Sequence, residues 1–173
     1  MPHIFFALFL CSGLFGTLQA QQKVPYEDLR MQAFNTNQES LGVDVSDSKT
    51  KVYGVVMDWD LGESFATVVA FKTGDASLYV EDGPTYIGGV TIEAVNKAAK
   101  NLVAEAHSYL AKADKTDEVS SSPNKKVTFY LLTNKGVFAY SEKVKSIEKG
   151  KSEWTALFQS ANRIITEYRN IGN

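Results

Sequence analysis

The sequence has very few of the residues that carry thiol and imidazole chemistry. Its 173 residues include one cysteine, Cys11, and two histidines, of which only His107 lies beyond the first twenty residues. A single cysteine forms no intrachain disulfide, and a lone histidine does not make a histidine-based metal site. His107 borders a predicted apolar helix stripe, which is typical of a structural histidine. The composition therefore argues against an enzyme with thiol or histidine-rich metal chemistry, and we expect no cofactor.

The chain also lacks a strong net charge. The formal net charge is −2, which gives no overall attraction to nucleic acid. The charges are unevenly distributed, because residues 21–95 hold five basic and twelve acidic residues, whereas residues 96–173 hold thirteen basic and eight acidic residues. Hydrophobic residues make up 44% and charged residues 22%, as in ordinary globular proteins.

The one long apolar run lies at the N-terminus. Residues 4–10 are uninterruptedly apolar, and the segment ends at the small residue Ala20, although no Lys or Arg precedes the run. This pattern predicts that residues 1–20 are a cleaved signal peptide of a periplasmic or secreted protein, with no stable membrane span after cleavage. The alternative is a membrane anchor formed by an uncleaved N-terminal segment. We expect residues 21–50 to form a polar segment with a short helix and a linker, and residues 51–173 to form a single α+β domain.

Hydrophobic periodicity predicts helices and strands in a simple order. Helical patterns cover residues 25–35 and 91–113 and the region after the expected cap Ser152. Strand patterns cover residues 52–59, 65–72, 76–81, 126–133 and 137–143, and Pro84 predicts the end of the first group. The connections between the first three strands are too short for parallel crossovers. The predicted fold is therefore α+β, with a five-stranded antiparallel sheet carrying packed helices, as in the profilin, roadblock and longin group of folds.

Four segments carry a closer resemblance. They are residues 68–79 (VVAFKTGDASLY), 86–89 (YIGG), 128–133 (TFYLLT) and 157–169 (LFQSANRIITEYR). The chain resembles a family of small uncharacterised bacterial proteins with a profilin-like or roadblock-like α+β core, in which an A-F-x-x-G-x-A-S-L-Y hairpin precedes a glycine-rich turn and a helix. The resemblance covers roughly residues 51–171. It implies no activity and therefore no catalytic residue.

Acidic residues gather at the predicted ends of the first and third strands. If both strands run the same way, their carboxyl ends share one edge of the sheet. Carboxylate oxygens clustered there are suited to Ca²⁺ or Mg²⁺, and the alternatives are an acid–base pair or a solvated acidic rim. The candidate metal ligands are Asp58, Asp60, Glu63, Glu81 and Asp82.

The turn before the second predicted helix is a candidate anion site. Gly88 and Gly89 precede Thr91, the expected helix N-cap, and backbone N–H groups at such a turn can bind an anion. A phosphate-binding loop would also need a Lys-Ser or Lys-Thr pair, which is missing here. The alternative is that both glycines serve backbone conformation and close packing.

Aromatic and basic residues suggest a further set of surfaces. Trp59, Tyr79, Tyr86 and Tyr130 are a candidate interaction surface, and the alternative is that their rings complete the core. Lysines are frequent in residues 125–151, where we expect a solvated face and no nucleic-acid partner.

These observations favour an exported, non-catalytic interaction or assembly module that binds a protein partner or a second copy of itself. A small-ligand or cation-binding domain that uses the acidic rim and the Gly88–Gly89 turn is the alternative. A hydrolase with diverged motifs is the third possibility.

Overall fold

A seven-stranded antiparallel sheet forms the centre of the computed structural model, which describes residues 24–44, 46, 48–121 and 125–171. The helices are α1 (Tyr26–Asn35), α2 (Glu93–Ala106), α3 (Val144–Glu148) and α4 (Thr155–Ile171). The strands are β1 (Val52–Asp60), β2 (Phe65–Phe71), β3 (Ala76–Val80), β4 (Thr85–Tyr86), β5 (Asp114–Thr116), β6 (Lys126–Thr133) and β7 (Gly136–Lys143). The spatial order is β4-β3-β2-β1-β6-β7-β5. The predicted signal peptide, residues 1–20, lies outside the described residues.

The strand count corrects the sequence-based prediction. The α+β class is confirmed, but the prediction of five strands is wrong, because β4 and β5 extend the sheet at opposite edges. They contain two and three residues, too few for an alternating pattern to be recognised. Pro84 does not end the sheet, since its carbonyl accepts a bond from Val80 N–H (3.2 Å) and the chain turns back to pair as β4. The five-residue α3 is a fourth helix that was not predicted.

Side chains alternate between two buried faces of the sheet, except at an irregularity between Val52 and Gly54 of β1. The face covered by α2 and α4, the α2–α4 face, includes Val55, Met57, Val68, Leu78, Phe129 and Leu131. The face covered by α1, the α1 face, includes Tyr53, Val56, Val69, Phe71, Tyr79, Tyr130 and Leu132. Helices on both faces of one sheet make a three-layer arrangement.

The α2 helix is shorter than the pattern at residues 91–113 predicts. It begins after Ile92 and continues beyond Ala106 as a 3₁₀ turn over His107–Lys112. The Ser108 hydroxyl donates to the Glu105 carbonyl (2.8 Å), a local bond that competes with regular helix geometry. Within the described residues, none of the helices is both long and apolar enough to span a membrane.

Candidate binding site

The five predicted metal ligands do not form one group. Asp58 and Asp60 are buried, whereas Glu63, Glu81 and Asp82 are exposed. Across the described ranges, no three Asp, Glu, His or Cys side chains are arranged to hold a metal ion.

Asp58 is the counter-ion of a buried arginine. Arg30, on α1, is fully buried and donates to Asp58 Oδ2 from Nε (2.9 Å) and Nη2 (2.5 Å). The Thr67 hydroxyl donates to the other carboxylate oxygen (2.6 Å). Burial lowers the pKa of Arg30, but the hydrogen bond and charge of Asp58 outweigh it, so the pKa lies above its ordinary value. The carboxylate is therefore committed to holding α1 on the sheet.

Aromatic side chains enclose this ion pair. The Arg30 guanidinium carbon lies 4.9 Å from the centre of the Phe34 ring and 5.7 Å from that of Tyr130. The Tyr26 hydroxyl is 2.6 Å from the Thr67 hydroxyl. Burial raises the pKa of Tyr26 and of Tyr130. Both phenols are therefore neutral at physiological pH, and the cluster has a structural role.

Asp60 fixes two loops at the end of the sheet. Its carboxylate oxygens accept bonds from Gly62 N–H (2.7 Å) and from Lys125 N–H (2.6 Å). Lys125 has a positive φ of 57°, which is uncommon for a residue other than glycine. Its carbonyl in turn accepts a bond from Val144 N–H (3.0 Å). These bonds tie together the end of β1, the beginning of β6 and the beginning of α3.

A cleft of about 520 Å³ opens beside these loops. We call it the lysine cleft, and its lining residues are Asp60, Leu61, Gly62, Lys125, Lys143, Val144, Lys145 and Glu148. Leu61, which is 48% exposed, and the half-buried Val144 contribute the apolar part of this lining.

The lysine cleft is positively charged. Among the described residues, no ion pair involves the ammonium group of Lys125, Lys143 or Lys145. The lining of the cleft also contains the carboxylates of Asp60 and Glu148, so the three lysines leave a net positive charge. An anionic group that entered this cleft would meet three ammonium groups, two carboxylates and an apolar wall.

The lysine cleft continues into an open edge of the sheet. β5 pairs only with Val137, Phe138 and Ala139 of β7, and no described strand pairs with the outer side of residues 140–143. A groove of about 440 Å³ runs along β5 and residues 139–141.

Two contacts involve the residues of this open edge. The Tyr140 ring stacks on Trp154 with centroids 4.4 Å apart, which anchors the strand to the α2–α4 core. The Lys143 N–H donates to the carboxylate of the adjacent Glu142 (2.7 Å) instead of to a neighbouring strand. The open edge is therefore firmly held but carries backbone groups that another chain can use.

Backbone conformation and close packing account for the two glycines of the predicted anion-binding turn. Gly88 has a φ of +79°, and the 3₁₀ turn Gly89–Thr91 separates it from α2. A Cβ atom on Gly89 would lie 2.5 Å from both Tyr168 Oη and Val95 Cγ1. Thr91 is exposed and is not the N-cap of α2, a position that Ile92 takes.

The four predicted interaction aromatics lie on opposite faces of the sheet. On the α2–α4 face, Trp59 packs edge-on against Phe158 and Tyr86 stacks on Tyr168. Tyr79 and Tyr130 are buried on the α1 face. The structure does not bring these four rings to one surface.

Sequence reasoning missed the lysine cleft. The sequence shows these lysines only as a basic stretch. In the structure, the β6–β7 register places Lys126 opposite Lys143, and this end of the hairpin lies beside the end of β1. Counting back from the tight turn at Gly136 along both strands would have aligned these ends.

This arrangement can hold an extended acidic chain by backbone hydrogen bonds and by charge. Its apolar wall and three ammonium groups adjoin the unpaired strand edge at Lys143. Comparison of the chain with protein-family models, with curated proteins and with solved structures found no match.

Proposed function

We propose that the protein is a non-catalytic interaction module that binds an extended acidic segment of a partner protein along the open edge of β7. The observation that carries this proposal is that Lys143 belongs both to the lysine cleft and to the unpaired edge at residues 140–143. The edge supplies backbone hydrogen bonds, and the cleft supplies the charge that selects the partner.

Strand addition is the binding mode that this edge supports. An extended peptide that pairs with an exposed strand gains main-chain hydrogen bonds, and its alternate side chains enter adjoining pockets. The partner's backbone would replace the Glu142 carboxylate at the Lys143 N–H. Lys143 belongs to both the edge and the lysine cleft, so one peptide can use both.

The charge of the cleft favours an acidic peptide, because its lining has three lysines and two carboxylates. Carboxylates of the partner would meet Lys125, Lys143 and Lys145, and an adjacent apolar side chain would cover Leu61. Such contacts steer association and weaken as salt is added, because exposed charges are screened.

A partner protein fits this surface better than a second copy of the chain. A two-fold contact through the same edge would bring two lysine clefts into one interface, where their lysines would repel one another. We therefore treat self-association through β7 as the competing outcome of the test.

An NMR titration tests the proposal directly. The probe is a short end-blocked peptide in which valine and glutamate alternate, and the control peptide has lysine in place of glutamate. We expect the acidic peptide to shift the backbone amides of residues 61–62, 125 and 140–148, and the basic peptide to leave them unchanged. Neutralising one exposed lysine should weaken binding by about threefold.

Matched variants make the test specific to the site. Lys143→Gln and Lys145→Gln should both weaken binding of the acidic peptide. Lys135→Gln, at the opposite end of the β6–β7 hairpin, should leave this binding unchanged. Equal binding by all three variants would contradict the proposal. A dimer in light scattering whose interface maps to β7 would overturn the assignment to a partner protein.

A further inference from the structure

A second basic cleft lies between α2 and the sheet, where β1 begins and β2 ends. It measures about 420 Å³, and we call it the α2 cleft. Its lining residues are Lys51, Val52, Lys72, Lys100, Val103, Ala104 and His107. Four of the seven lining side chains are basic, and none is a carboxylate.

The antiparallel sheet brings two lysines of the α2 cleft together. Lys51 immediately precedes β1 and Lys72 immediately follows β2, and these strands are paired with Gly54 opposite Phe71. The Lys72 N–H donates to the Tyr53 carbonyl (2.8 Å), which extends the pairing to the lysine itself. The positions of both backbones are therefore fixed by the sheet.

Helix α2 supplies the opposite wall. Lys100 and Ala104 are four residues apart, and His107 follows three residues later, so the three lie along one side of the helix. All three are exposed, while Val103 and the facing Val52 are buried. The cleft thus has a basic rim and an apolar floor.

Two lysines and the histidine of this lining have no ion-pair partner among the described residues. No described carboxylate is ion-paired with Lys72, Lys100 or His107. Like charges that converge on one cleft repel one another and attract counter-ions. The lysine cleft differs in this respect, since Asp60 and Glu148 are part of its lining. A doubly charged anion is therefore better suited to the α2 cleft.

We propose that the α2 cleft binds the phosphate group of a small phosphate monoester. Lysine ammonium groups are effective phosphate ligands because each is a compact charge with three donors, and a phosphate dianion offers several acceptor oxygens. The floor formed by Val52 and Val103 would contact the organic part of the ester. This site is separate from the β7 edge and does not depend on the function proposed there.

The test is an NMR titration of the isotope-labelled protein with phenyl phosphate, inorganic phosphate and phenol. We expect saturable amide shifts at residues 51–52, 72 and 100–107 with phenyl phosphate, weaker binding of inorganic phosphate, and no binding of phenol at this cleft. Lys72→Gln and Lys100→Gln should each lower the affinity for phenyl phosphate by about threefold, as expected for an exposed charge pair. Lys145→Gln, in the lysine cleft, is the matched control and should leave the affinity unchanged.

Each other outcome overturns the proposal. Shifts that do not saturate, or equal affinity of the Lys72→Gln, Lys100→Gln and Lys145→Gln variants, would exclude a phosphate site in the α2 cleft. Equal affinity for phenyl phosphate and inorganic phosphate would overturn the assignment to an ester. Thermal melts of each variant verify folding, and because the three lysines are exposed, we expect their melting temperatures to be unchanged.

Discussion

Arg30 shows how a single residue can connect two parts of a fold. It lies in a polar stretch of the sequence, yet in the structure it is fully buried and bonded to Asp58 on the central strand. A buried charge needs a partner because losing its hydration is costly. The position of α1 therefore depends on a carboxylate contributed by β1.

Removing the carboxylate should strongly destabilise the protein. Asp58→Ala leaves the Arg30 guanidinium buried without its counter-ion, and we expect the free energy of unfolding to fall by about 3–5 kcal/mol. Urea denaturation followed by circular dichroism measures this loss. The control is Glu153→Gln, which removes the exposed Lys112–Glu153 pair (2.9 Å) and should leave the midpoint nearly unchanged. Similar midpoints for the two variants would contradict the structural role of the buried pair.

At the scale of secondary-structure elements, the long strands could be predicted and the short ones could not. β1, β2, β3, β6 and β7 are each five or more residues long, so their composition is visible in the sequence. β4 and β5 exist because a neighbouring strand offers unpaired backbone groups, and this depends on tertiary structure. α3 has five residues and only one buried side chain, Ile147, which is too little for a periodic signal.

The candidate binding site was less predictable than the fold for the same reason. Lys125 and Lys143 are separated by a complete hairpin, and only the β6–β7 register brings their ends together. Asp58 and Asp60 looked alike in the sequence, but one faces an arginine on α1 and the other caps two loops. Side-chain partners from distant segments decided both roles.

The turn that joins β4 to α2 offers a prediction about packing. Gly89→Ala would place a Cβ atom 2.5 Å from Tyr168 Oη and Val95 Cγ1, and we expect a loss of about 1–3 kcal/mol in unfolding free energy from overpacking. Gly88→Ala meets no atoms but must keep a φ of +79°, which costs about 1 kcal/mol. Urea midpoints of both variants give the comparison. We expect Gly89→Ala to be the more harmful, and the reverse order would show that the turn relaxes.

At the scale of the whole molecule, buried tyrosines make the fold sensitive to alkaline pH. Burial raises the pKa of Tyr168 from 10.0 to about 12, and its hydroxyl donates to the Ala76 carbonyl (2.7 Å). Above pH 10 the unfolded chain loses this proton while the folded chain retains it, so stability is complete below about pH 10 and is lost as the pH rises towards about 12.

Replacing this tyrosine isolates its share of the alkaline sensitivity. Tyr168→Phe loses the hydrogen bond at neutral pH, but between about pH 10 and 12 its stability should decline less than that of the wild type. Urea midpoints measured across this pH range provide the readout. An equally steep decline of the variant's stability would show that groups other than Tyr168 cause the alkaline sensitivity.

The position of β1 at the centre of the sheet also sets the order in which the molecule can fold. β1 pairs with its neighbour β2 through a short loop, but its other partner is β6, with Val52 opposite Thr133. Closing that ladder must wait until every residue between them has been synthesised, and such distant pairings slow folding. Until β6 arrives, the β1 edge is a free template for other chains. Early folding intermediates should therefore be the forms of this protein most prone to aggregate.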